Sequence, residues 1–423
     1  MTKAKQSMNQ TTWVARRATA AALALAIVFP LTVIATQAAQ AQTYTYTKLH
    51  NFTGGQDGST PYAGVTFDKA GNNLYGTAFT GGSGLGAVYR LKRKGSDWIF
   101  SPLFEFNGGP GANPLARVVF GPSDALYGTT LDYTYGTVFS LRPSVRACTT
   151  ALCLWTETVL YDFSYPGANA PGYGDLLFDQ PGNIYGTTQG GGNSNLGIVY
   201  ELTPPGSWNT ESLLYSFSGS DGANPYNGVI FDSSGNLYGT TYNGGVYGYG
   251  TVFELTESIG WTESCINSFR NGSDGSYPWA GLIFDQSGNL YGATSDAGTG
   301  GGGTVFKLTP GANCNWTLKT LYSFTGTAGK RCGPRASLWM DPAAGNLYGT
   351  TYCDGGNQAG NIFELTNVGG GNYTYTGLYD FTGGNDGGNP ISNVIMDSSG
   401  NLYGTASTGG SQNVGVVWEL EKN

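Results

Sequence analysis

The stretch from Gly228 to Phe253 reads GVIFDSSGNLYGTTYNGGVYGYGTVF, and the rest of the chain repeats this pattern. It contains an apolar run, a Gly-Asn turn, a second run, a glycine-rich loop and a third run. Its central tyrosine, Tyr238, has counterparts at Tyr75, Tyr127, Tyr185, Tyr291, Tyr348 and Tyr403, spaced 52 to 58 residues apart. A period near 50 residues is typical of propeller blades. Seven copies therefore predict an all-β, seven-bladed β-propeller.

Each copy contains four predicted strands. In the copy quoted, the first strand is Val229 to Asp232, and the turn at Gly235-Asn236 folds it back onto Leu237 to Thr241. The third strand is Gly250 to Thr256, and the fourth ends in an aromatic residue, as at Leu214 to Phe217 in the copy before. Four consecutive antiparallel strands of this kind make one blade.

The two ends of the chain supply the parts of one incomplete blade. The last copy stops after a third strand, Gly415 to Leu420, while Tyr46 to Phe52 is a fourth-type strand with no blade before it. Pairing these two segments would complete the seventh blade. It would also remove a sheet edge that invites aggregation.

The first 41 residues have the features of a signal peptide. Ala18 to Ala35 is almost wholly apolar, and Ala39-Gln40-Ala41 is a small-x-small cleavage signal. The basic residues that precede the apolar run are Lys3, Lys5, Arg16 and Arg17. We expect cleavage after Ala41, which leaves residues 42–423 as a single propeller that is secreted or periplasmic. An uncleaved membrane anchor is the alternative, and the sequence does not decide between the general and the twin-arginine export routes.

The composition excludes some classes of partner. The formal net charge is −8, and no basic stripe stands out, so nucleic-acid binding is not expected. Glycine occurs 69 times, as dense turns require, and no long segment has helical periodicity. We expect a monomer that has no membrane contact after cleavage.

Two segments carry a family resemblance. GNLYGTT at Gly235 to Thr241 and GTVFELT at Gly250 to Thr256 resemble the Gloeo/Verruco (GloVer) tandem repeat of exported bacterial proteins. The resemblance covers nearly all of Thr43 to Asn423 and implies a propeller-like fold without an established reaction. Such proteins typically carry a C-terminal sorting anchor. This chain ends at Glu421-Lys422-Asn423 without an apolar tail, which favours a released or periplasmic protein.

The scarcity of histidine limits the chemistry. His50 is the single histidine, and it lies on the predicted outermost strand of the closing blade, where we expect a surface residue. Nucleophile–histidine arrangements need an imidazole beside the nucleophile, and multi-histidine metal sites need several. Neither is expected here.

Most acidic residues recur at equivalent positions, which favours structural roles. The hairpin aspartates are interpreted as turn caps: Asp68, Asp179, Asp232, Asp285, Asp341 and Asp397. One third-strand column tolerates both charge signs and is predicted to face solvent: Arg90, Ser140, Glu201, Glu254, Lys307, Glu364 and Glu419. Four entry loops contain Asp-Gly: Asp57, Asp221, Asp274 and Asp386. Calcium would suit clustered oxygen ligands, but Asx turns explain these residues more simply.

Six cysteines in an exported chain suggest disulfides. Cys148 and Cys153 flank an insertion in blade 2 and are expected to form a local disulfide. Cys332 and Cys353 lie in loops that up-and-down geometry places on one face, so we pair them. No geometric argument pairs Cys265 with Cys314.

Two classes of function stay open. The favoured one is an exported, non-catalytic recognition module that binds glycan, peptide or a surface protein. The alternative is a carbohydrate-active enzyme, of hydrolase or lyase type, that uses a carboxylate pair. Its candidate acids break the repeat: Asp132, Asp175, Asp296 and Asp354. Asp175 and Arg117 occupy equivalent positions in blades 3 and 2, so a structural ion pair between them is the competing interpretation.

One column of the repeat predicts a binding site. It stands two residues before each first strand and holds Tyr62, Leu115, Tyr173, Tyr226, Trp279, Arg335 and Ile391. The first strand of a blade is innermost, so this column should surround the channel mouth, where aromatic rings can stack on sugars or anchor an interface. Neighbouring loops add Tyr133, Tyr242, Tyr247, Tyr249, Lys330 and Arg331. We expect a shallow site centred on blades 4 to 6, with Arg117 also near it; the alternative is that the rings only pack against the next blade's loop.

Overall fold

The computed structural model describes residues 43–108, 111–131, 136–144, 155–163, 171–204, 211–258, 260–311, 315–326 and 329–423. Their strands form seven separate four-stranded antiparallel sheets, so the prediction of an all-β, seven-bladed propeller is confirmed. The predicted signal peptide, Met1 to Ala41, lies outside the described residues. Within them, no helix is long and apolar enough to cross a bilayer.

The strands follow the repeat in chain order. Strand β1 is Tyr44–Asn51. Blade 1 holds β2 to β5 (Thr66–Phe67, Asn73–Ala78, Ala87–Lys94, Asp97–Glu105) and blade 2 holds β6 to β9 (Val119–Phe120, Leu126–Thr130, Thr137–Arg142, Thr156–Asp162). Blade 3 holds β10 to β13 (Leu177–Phe178, Ile184–Thr188, Ile198–Leu202, Glu211–Ser216) and blade 4 holds β14 to β17 (Ile230–Phe231, Leu237–Thr241, Thr251–Ser258, Gly260–Ser268).

The remaining blades have the same order. Blade 5 holds β18 to β21 (Ile283–Phe284, Leu290–Thr294, Gly301–Pro310, Trp316–Thr325) and blade 6 holds β22 to β25 (Trp339–Met340, Leu347–Thr351, Asn361–Gly369, Asn372–Asp380). Blade 7 holds β26 to β28 (Ile395–Met396, Leu402–Ala406, Val416–Lys422). Strand β1 pairs antiparallel with β28, from Tyr44 opposite Lys422 to Asn51 opposite Val416. Blade 7 therefore contains both ends of the described chain.

A glycine–aromatic pair recurs in the core of every blade. The glycine of Leu-Tyr-Gly lies opposite an aromatic residue of the third strand, in the pairs Gly76–Tyr89, Gly128–Phe139, Gly186–Tyr200, Gly239–Phe253, Gly292–Phe306, Gly349–Phe363 and Gly404–Trp418. All seven rings are 0% exposed. A Cβ atom on these glycines would meet the ring at 2.3 to 2.7 Å. The motif therefore requires glycine because the opposite ring covers its Cα.

We expect Gly239→Ala to destabilise the protein by about 2 kcal/mol, because an added methyl group overpacks a closed core. The new Cβ would lie 2.5 Å from Cζ of Phe253, whose ring has no exposed surface into which it could move. Urea unfolding followed by circular dichroism measures the loss. Gly248→Ala is the control: its φ is +82° but no atom lies within 4 Å of the added Cβ, so only a backbone penalty of about 1 kcal/mol applies. Equal losses in the two variants would contradict the steric explanation.

The hairpin aspartates cap their turns, as predicted. In blade 4, Oδ1 of Asp232 accepts hydrogen bonds from the backbone N–H groups of Ser234 and Asn236, at 2.8 and 2.9 Å. Equivalent bonds to backbone amides occur at Asp68, Asp179, Asp285, Asp341 and Asp397. These carboxylates hold the first hairpin of each blade.

The prediction that the third-strand charged column faces solvent is wrong. Tyr238 donates to Oε1 of Glu254 at 2.7 Å, and Tyr403 donates to Glu419 at 2.6 Å, with Glu419 only 8% exposed. In blade 5, Lys307 lies over the ring of the equivalent tyrosine instead, with Nζ 5.3 Å from its centroid. One tyrosine thus satisfies either sign, an acid through its hydroxyl and a cation through its ring face. This position accepts an acidic or a basic residue because the tyrosine can bind either one, and not because the position faces solvent.

The expectation for His50 is also wrong. It does lie on the outermost strand of blade 7, but its side chain is only 17% exposed. The imidazole stacks on Phe100 of blade 1, with centroids 3.9 Å apart, and Nε2 lies 3.1 Å from Oδ2 of Asp57. Burial lowers the pKa of His50, against the opposing effect of Asp57. The closing strand buries this residue because the next blade packs against it.

Three outer strands carry glutamate where the others carry an apolar or aromatic side chain. Opposite the last leucine of the third strand stand Glu157, Glu211 and Glu263 in blades 2 to 4, and Phe100, Leu318, Tyr375 and Tyr46 in the others. Burial raises the pKa of both Glu157 and Glu263 to about 7. Oε1 of each is buried without a hydrogen-bond partner among the described residues. Glu157 and Glu263 therefore place a carboxyl group where other blades carry an apolar or aromatic side chain, and burial disfavours its charged form.

We expect Glu263→Gln to stabilise the protein at pH 8 and to have no effect near pH 4. Its folded pKa of about 7 exceeds the unfolded value of about 4.3, so the folded state binds more protons. The stabilisation that the protonated Glu263 contributes is fully present below its unfolded-state pKa. It is lost as the pH rises through the folded-state pKa of about 7. After a discount for partial exposure, we expect a gain of about 1 kcal/mol at pH 8. Urea unfolding at both pH values tests this, with the exposed Glu421→Gln as control. A gain that does not depend on pH would contradict it.

Candidate functional site

Five of the entry loops, which lead from one blade into the first strand of the next, contain a left-handed residue followed by proline. These pairs are Thr60-Pro61, Asn113-Pro114, Asn224-Pro225, Tyr277-Pro278 and Asn389-Pro390, with φ of the first residue between 50° and 59°. Each proline lies against the glycine that opens the third strand of the preceding blade; a Cβ on Gly250 would stand 2.5 Å from Cδ of Pro278. The proline restricts the backbone of the loop. The residue after it is the member of the aromatic column, which precedes the first strand of the blade. These residue–proline pairs are visible in the sequence, and they mark the start of each such entry path.

The loops bring the predicted aromatic column together. We call Tyr62, Tyr173, Tyr226, Tyr242 and Trp279 the aromatic collar. Tyr226 and Trp279 stack face to face, with centroids 4.7 Å apart and planes 13° apart. The ring of Tyr173 lies 5.5 Å from Trp279 and 6.3 Å from Tyr62, and Tyr242 lies 4.8 Å from Tyr226. A single cavity is lined by Tyr62, Leu115, Tyr173, Arg335 and Ile391, so five members of the column face the same space.

The collar rings differ in exposure. Tyr62, Tyr173, Tyr226 and Trp279 are half-buried, whereas Tyr242 is 6% exposed and supports them from behind. Burial raises the pKa of Tyr173 to about 12, and it also raises the pKa values of Tyr62 and Tyr226. Their hydroxyls therefore keep their protons at neutral pH and can donate hydrogen bonds. The rings pack on one another, as the structural alternative holds, and the half-buried ones also keep exposed surface.

Two arginines from the entry loop of blade 6 lie on aromatic faces beside the collar. Cζ of Arg331 is 4.1 Å from the ring centroid of Tyr277 and 5.4 Å from that of Tyr242. Cζ of Arg335 is 5.0 Å from the Trp279 centroid and 3.5 Å from that of Tyr352. Nη1 of Arg331 also donates to the hydroxyl of Tyr242. Tyr277 and Tyr352 are not predicted from the repeat, because neither belongs to the column.

Below the collar, the channel narrows at an ion pair. Nε and Nη2 of Arg117 donate to Oδ2 of Asp175, at 3.0 and 2.5 Å, which confirms the structural interpretation of this pair. The collar cavity has a volume of about 30 Å³, and a chamber of about 280 Å³ lies on the other side of the same residues. The chamber is lined farther down by apolar first-strand residues such as Ile230, Ile283 and Ile395. The cavity lined by Tyr62 and Tyr173 therefore has room for a few water molecules only.

The candidate carboxylates that the structure describes have different surroundings. Asp175 is engaged by Arg117, and the buried Asp296 accepts hydrogen bonds from the backbone N–H groups of Ala297 and Gly329, both at 2.9 Å. Burial, and more weakly the charge of Asp380, raises the pKa of Asp354. Asp132 lies outside the described residues, as does Tyr133. Of the three described candidates, only Asp175 lines the collar cavity.

The cysteine predictions have different outcomes. Cys332 and Cys353 form the disulfide that was predicted, with Cα atoms 4.5 Å apart. Cys265 has a free, exposed thiol. The expected pair of Cys148 and Cys153 lies outside the described residues, as does Cys314.

The Asp-Gly aspartates act within their own loops. Thr53, Ser218, Arg270 and Thr382 each donate a backbone N–H to the aspartate that follows, at 2.9 Å in all four loops: Asp57, Asp221, Asp274 and Asp386. No group of three or more histidine, cysteine or acidic side chains with metal-binding geometry occurs among the described residues. Calcium at these loops stays an untested expectation.

The rim beyond the collar is more exposed. Tyr247 is 47% and Val246 is 76% exposed, and Cζ of Arg270 lies 5.3 Å from the Tyr247 centroid. Tyr249 contacts Tyr277 edge to face, with centroids 5.8 Å apart, and so joins the far side of the collar. Lys330 is exposed.

Comparisons with known proteins identify the repeat and the fold. A sequence model of the Gloeobacter/Verrucomicrobia repeat matches residues 132–263 and 227–423. No curated protein matches the sequence significantly.

Several solved structures share the fold at low identity. An ancestral GH74 enzyme has 12% identity and a TM-score of 0.56, with 86% of this chain and 48% of that chain covered. The extracellular domain of a hybrid two-component system from B. thetaiotaomicron has 12% identity and a TM-score of 0.52, with 89% and 40% covered. A polysaccharide lyase of family PL25, an ulvan lyase bound to -[GlcA(1-4)Rha3S]-, has 10% identity and a TM-score of 0.50, with 90% and 96% covered. The present chain thus spans less than half the length of the first two.

Proposed function

This chain belongs to the Gloeobacter/Verrucomicrobia repeat family, and we propose that its propeller is a non-catalytic module that binds carbohydrate on the aromatic collar. The observation that carries the proposal is the stacked pair of Tyr226 and Trp279, which is half-buried and not fully enclosed. Aromatic faces bind the C–H faces of sugar rings, and the tyrosine hydroxyls beside them supply hydrogen-bond donors. The aromatic collar contains both the aromatic rings and the tyrosine hydroxyls.

The shape of the site favours a sugar over a peptide or a protein partner. The collar cavity of about 30 Å³ has no room for an inserted side chain, so a peptide would find no specificity pocket. A stable protein interface needs about 800 Å² on each partner, with a buried centre. A cluster of half-buried aromatic rings with tyrosine hydroxyls among them suits one or two sugar rings instead.

The state of the acids supports binding without catalysis. A glycosidase of the common type needs two carboxylates at about 5–10 Å on either side of the bond that breaks. Asp175 is held by Arg117, and Asp296 is held by backbone amides away from the collar cavity. The neighbours in fold include glycan-active enzymes, but at 10–12% identity they share only the architecture.

The site also fits an exported protein. We propose that Met1 to Ala41 is a signal peptide and that the mature protein is secreted or periplasmic. The disulfide between Cys332 and Cys353 supports an oxidising compartment, because such bonds are rare in the cytosol.

A glycan array with the purified protein tests the function, followed by calorimetry on the oligosaccharides that bind. We expect dissociation constants in the micromolar range and no cleavage products after prolonged incubation, as followed by mass spectrometry. Cleavage of a bound oligosaccharide would replace the proposal with the enzyme alternative. Binding of no carbohydrate by the folded protein would refute it.

A further inference from the structure

Two arginines beside the collar carry positive charge that forms no ion pair with an acidic residue in the part of the chain that the structure describes. The ion pairs among the described residues are His50–Asp57, Lys69–Asp124, Arg93–Asp397, Arg117–Asp175 and Lys307–Asp285. Neither Arg331 nor Arg335 is in any of them, although acidic residues outnumber basic ones by 28 to 20 in the whole sequence. In an acidic protein, two neighbouring arginines without a carboxylate partner need an explanation.

The same arginines are partly removed from water. Both are half-buried, and burial lowers the pKa of Arg335, with a smaller contribution of the same sign from Arg331. Nε of Arg335 is buried without a hydrogen-bond partner among the described residues, while its Nη2 donates to the backbone carbonyl of Arg331 at 3.1 Å. Desolvated charges of like sign in one loop destabilise the free protein unless a counter-charge arrives.

The stacking geometry presents the guanidinium groups to a ligand on the collar. Arg335 lines the collar cavity and lies over Trp279, one half of the stacked pair that carries the proposed sugar site. Arg331 lies over Tyr277 on the adjoining side. Stacking fixes both guanidinium planes, and the N–H groups that the Tyr242 hydroxyl and the Arg331 carbonyl do not engage can donate hydrogen bonds to a carboxylate.

We propose that the ligand is an acidic oligosaccharide whose uronate carboxylate is bound by Arg331 and Arg335 while its sugar rings stack on Tyr226 and Trp279. This inference rests on the proposed carbohydrate function and narrows it to one class of sugar. It also explains why the arginines have no carboxylate partner among the described residues: the ligand supplies the counter-charge. Charge-assisted hydrogen bonds of this kind are worth about 1.5–3 kcal/mol, which corresponds to at least a tenfold change in affinity.

The test uses matched pairs of oligosaccharides that differ only in charge. Hexamers of galacturonate, glucuronate and mannuronate are titrated into the protein by calorimetry, each beside its neutral methyl ester, together with neutral cellohexaose. We expect at least one acid to bind ten or more times tighter than its ester, with an affinity that falls as salt is raised from 50 to 500 mM. The ester's affinity should not depend on salt.

Substitutions at Arg331 and Arg335 test whether these residues cause the preference for the acid over its ester. Arg331→Gln with Arg335→Gln should abolish the difference between acid and ester and leave the affinity for the ester within about threefold. Arg270→Gln is the control, because Arg270 also lies over a tyrosine, Tyr247, but outside the collar. Arg331→Gln alone is the reserve variant if the double variant does not fold, and it should reduce the difference.

The outcomes separate this inference from the function on which it rests. Binding of the esters or cellohexaose at least as tightly as the acids would overturn the acidic ligand and leave carbohydrate binding intact. An equal loss for acid and ester in the arginine variants would also overturn it, because the arginines would then only hold the aromatic rings. Binding of none of the probes would overturn both.

Discussion

Replacing Tyr226 and Trp279 together by alanine is expected to weaken carbohydrate binding at least 100-fold while the protein stays folded. Both rings belong to the proposed sugar site, and loss of a central aromatic anchor removes about 2 kcal/mol or more of binding free energy. Two such losses correspond to a factor of about 100 or more in the dissociation constant. Both side chains are half-buried at the channel mouth and lie outside the glycine–aromatic pairs of the blade cores, so folding should survive.

The single variants should reveal that the two rings act together. Tyr226 and Trp279 come from different blades and stack at 4.7 Å, so each ring holds the other in place. Removal of either one should therefore cost more than half of the effect of the double variant. Calorimetry on both single variants and the double variant gives this coupling directly.

A matched control is available on the rim. Tyr247→Ala removes a tyrosine that is 47% exposed and lies over Arg270 instead of the collar, so its effect on affinity should be below about twofold. Circular dichroism and thermal unfolding confirm that each variant is folded. Unchanged affinity in a folded double variant would refute the collar as the binding site.

The repeat explains why so much of the architecture could be predicted. Seven copies in one register place equivalent residues at equivalent radii, so a column such as Tyr62, Tyr173, Tyr226 and Trp279 must surround the axis whatever the details of the loops. The same argument placed Cys332 and Cys353 on one face and Arg117 beside Asp175. The symmetry of the repeat therefore made it possible to infer which residues lie close together without knowledge of their tertiary contacts.

The failures have the opposite cause, because they depend on a partner outside the column. Glu254 and Lys307 looked solvated since the column accepts both signs, but each is satisfied by the tyrosine on the paired strand. His50 looked exposed because its strand is outermost, yet blade 1 covers it. The residues at one position of the repeat show how much that position varies. They do not show which residues of other strands or blades it contacts.

The arginine part of the site was the least predictable from sequence. The charge of Arg331 and Arg335 was visible, but their position over Tyr277 and Tyr352 depends on how the entry loop of blade 6 folds. That loop lacks the left-handed residue and proline pair of its neighbours, since Gly333 precedes Pro334. Instead of this pair, the loop carries the disulfide between Cys332 and Cys353.

Removing the disulfide by Cys332→Ser with Cys353→Ser is expected to lower the free energy of unfolding by about 3 kcal/mol. The bond joins residues 21 apart in sequence and so restricts the unfolded chain. We expect a second effect, a loss of at least tenfold in affinity for the acidic oligosaccharide. Arg331 directly precedes Cys332, and Tyr352, on which Arg335 stacks at 3.5 Å, directly precedes Cys353. The disulfide therefore fixes the arginine loop to the ring that orients it.

Urea unfolding measures the first effect, and calorimetry with an acid and its methyl ester measures the second. Cys265→Ser is the control, because that thiol is free and exposed and lies on an outer strand, so neither quantity should change. If the disulfide positions the arginines, the loss of affinity will concern the acid and spare the ester, since only the acid uses the guanidinium groups. An equal affinity for the acid before and after the substitution would show that backbone hydrogen bonds, such as the one from the N–H of Cys353 to the carbonyl of Cys332 at 3.1 Å, suffice to hold the loop. The disulfide would then act on stability alone.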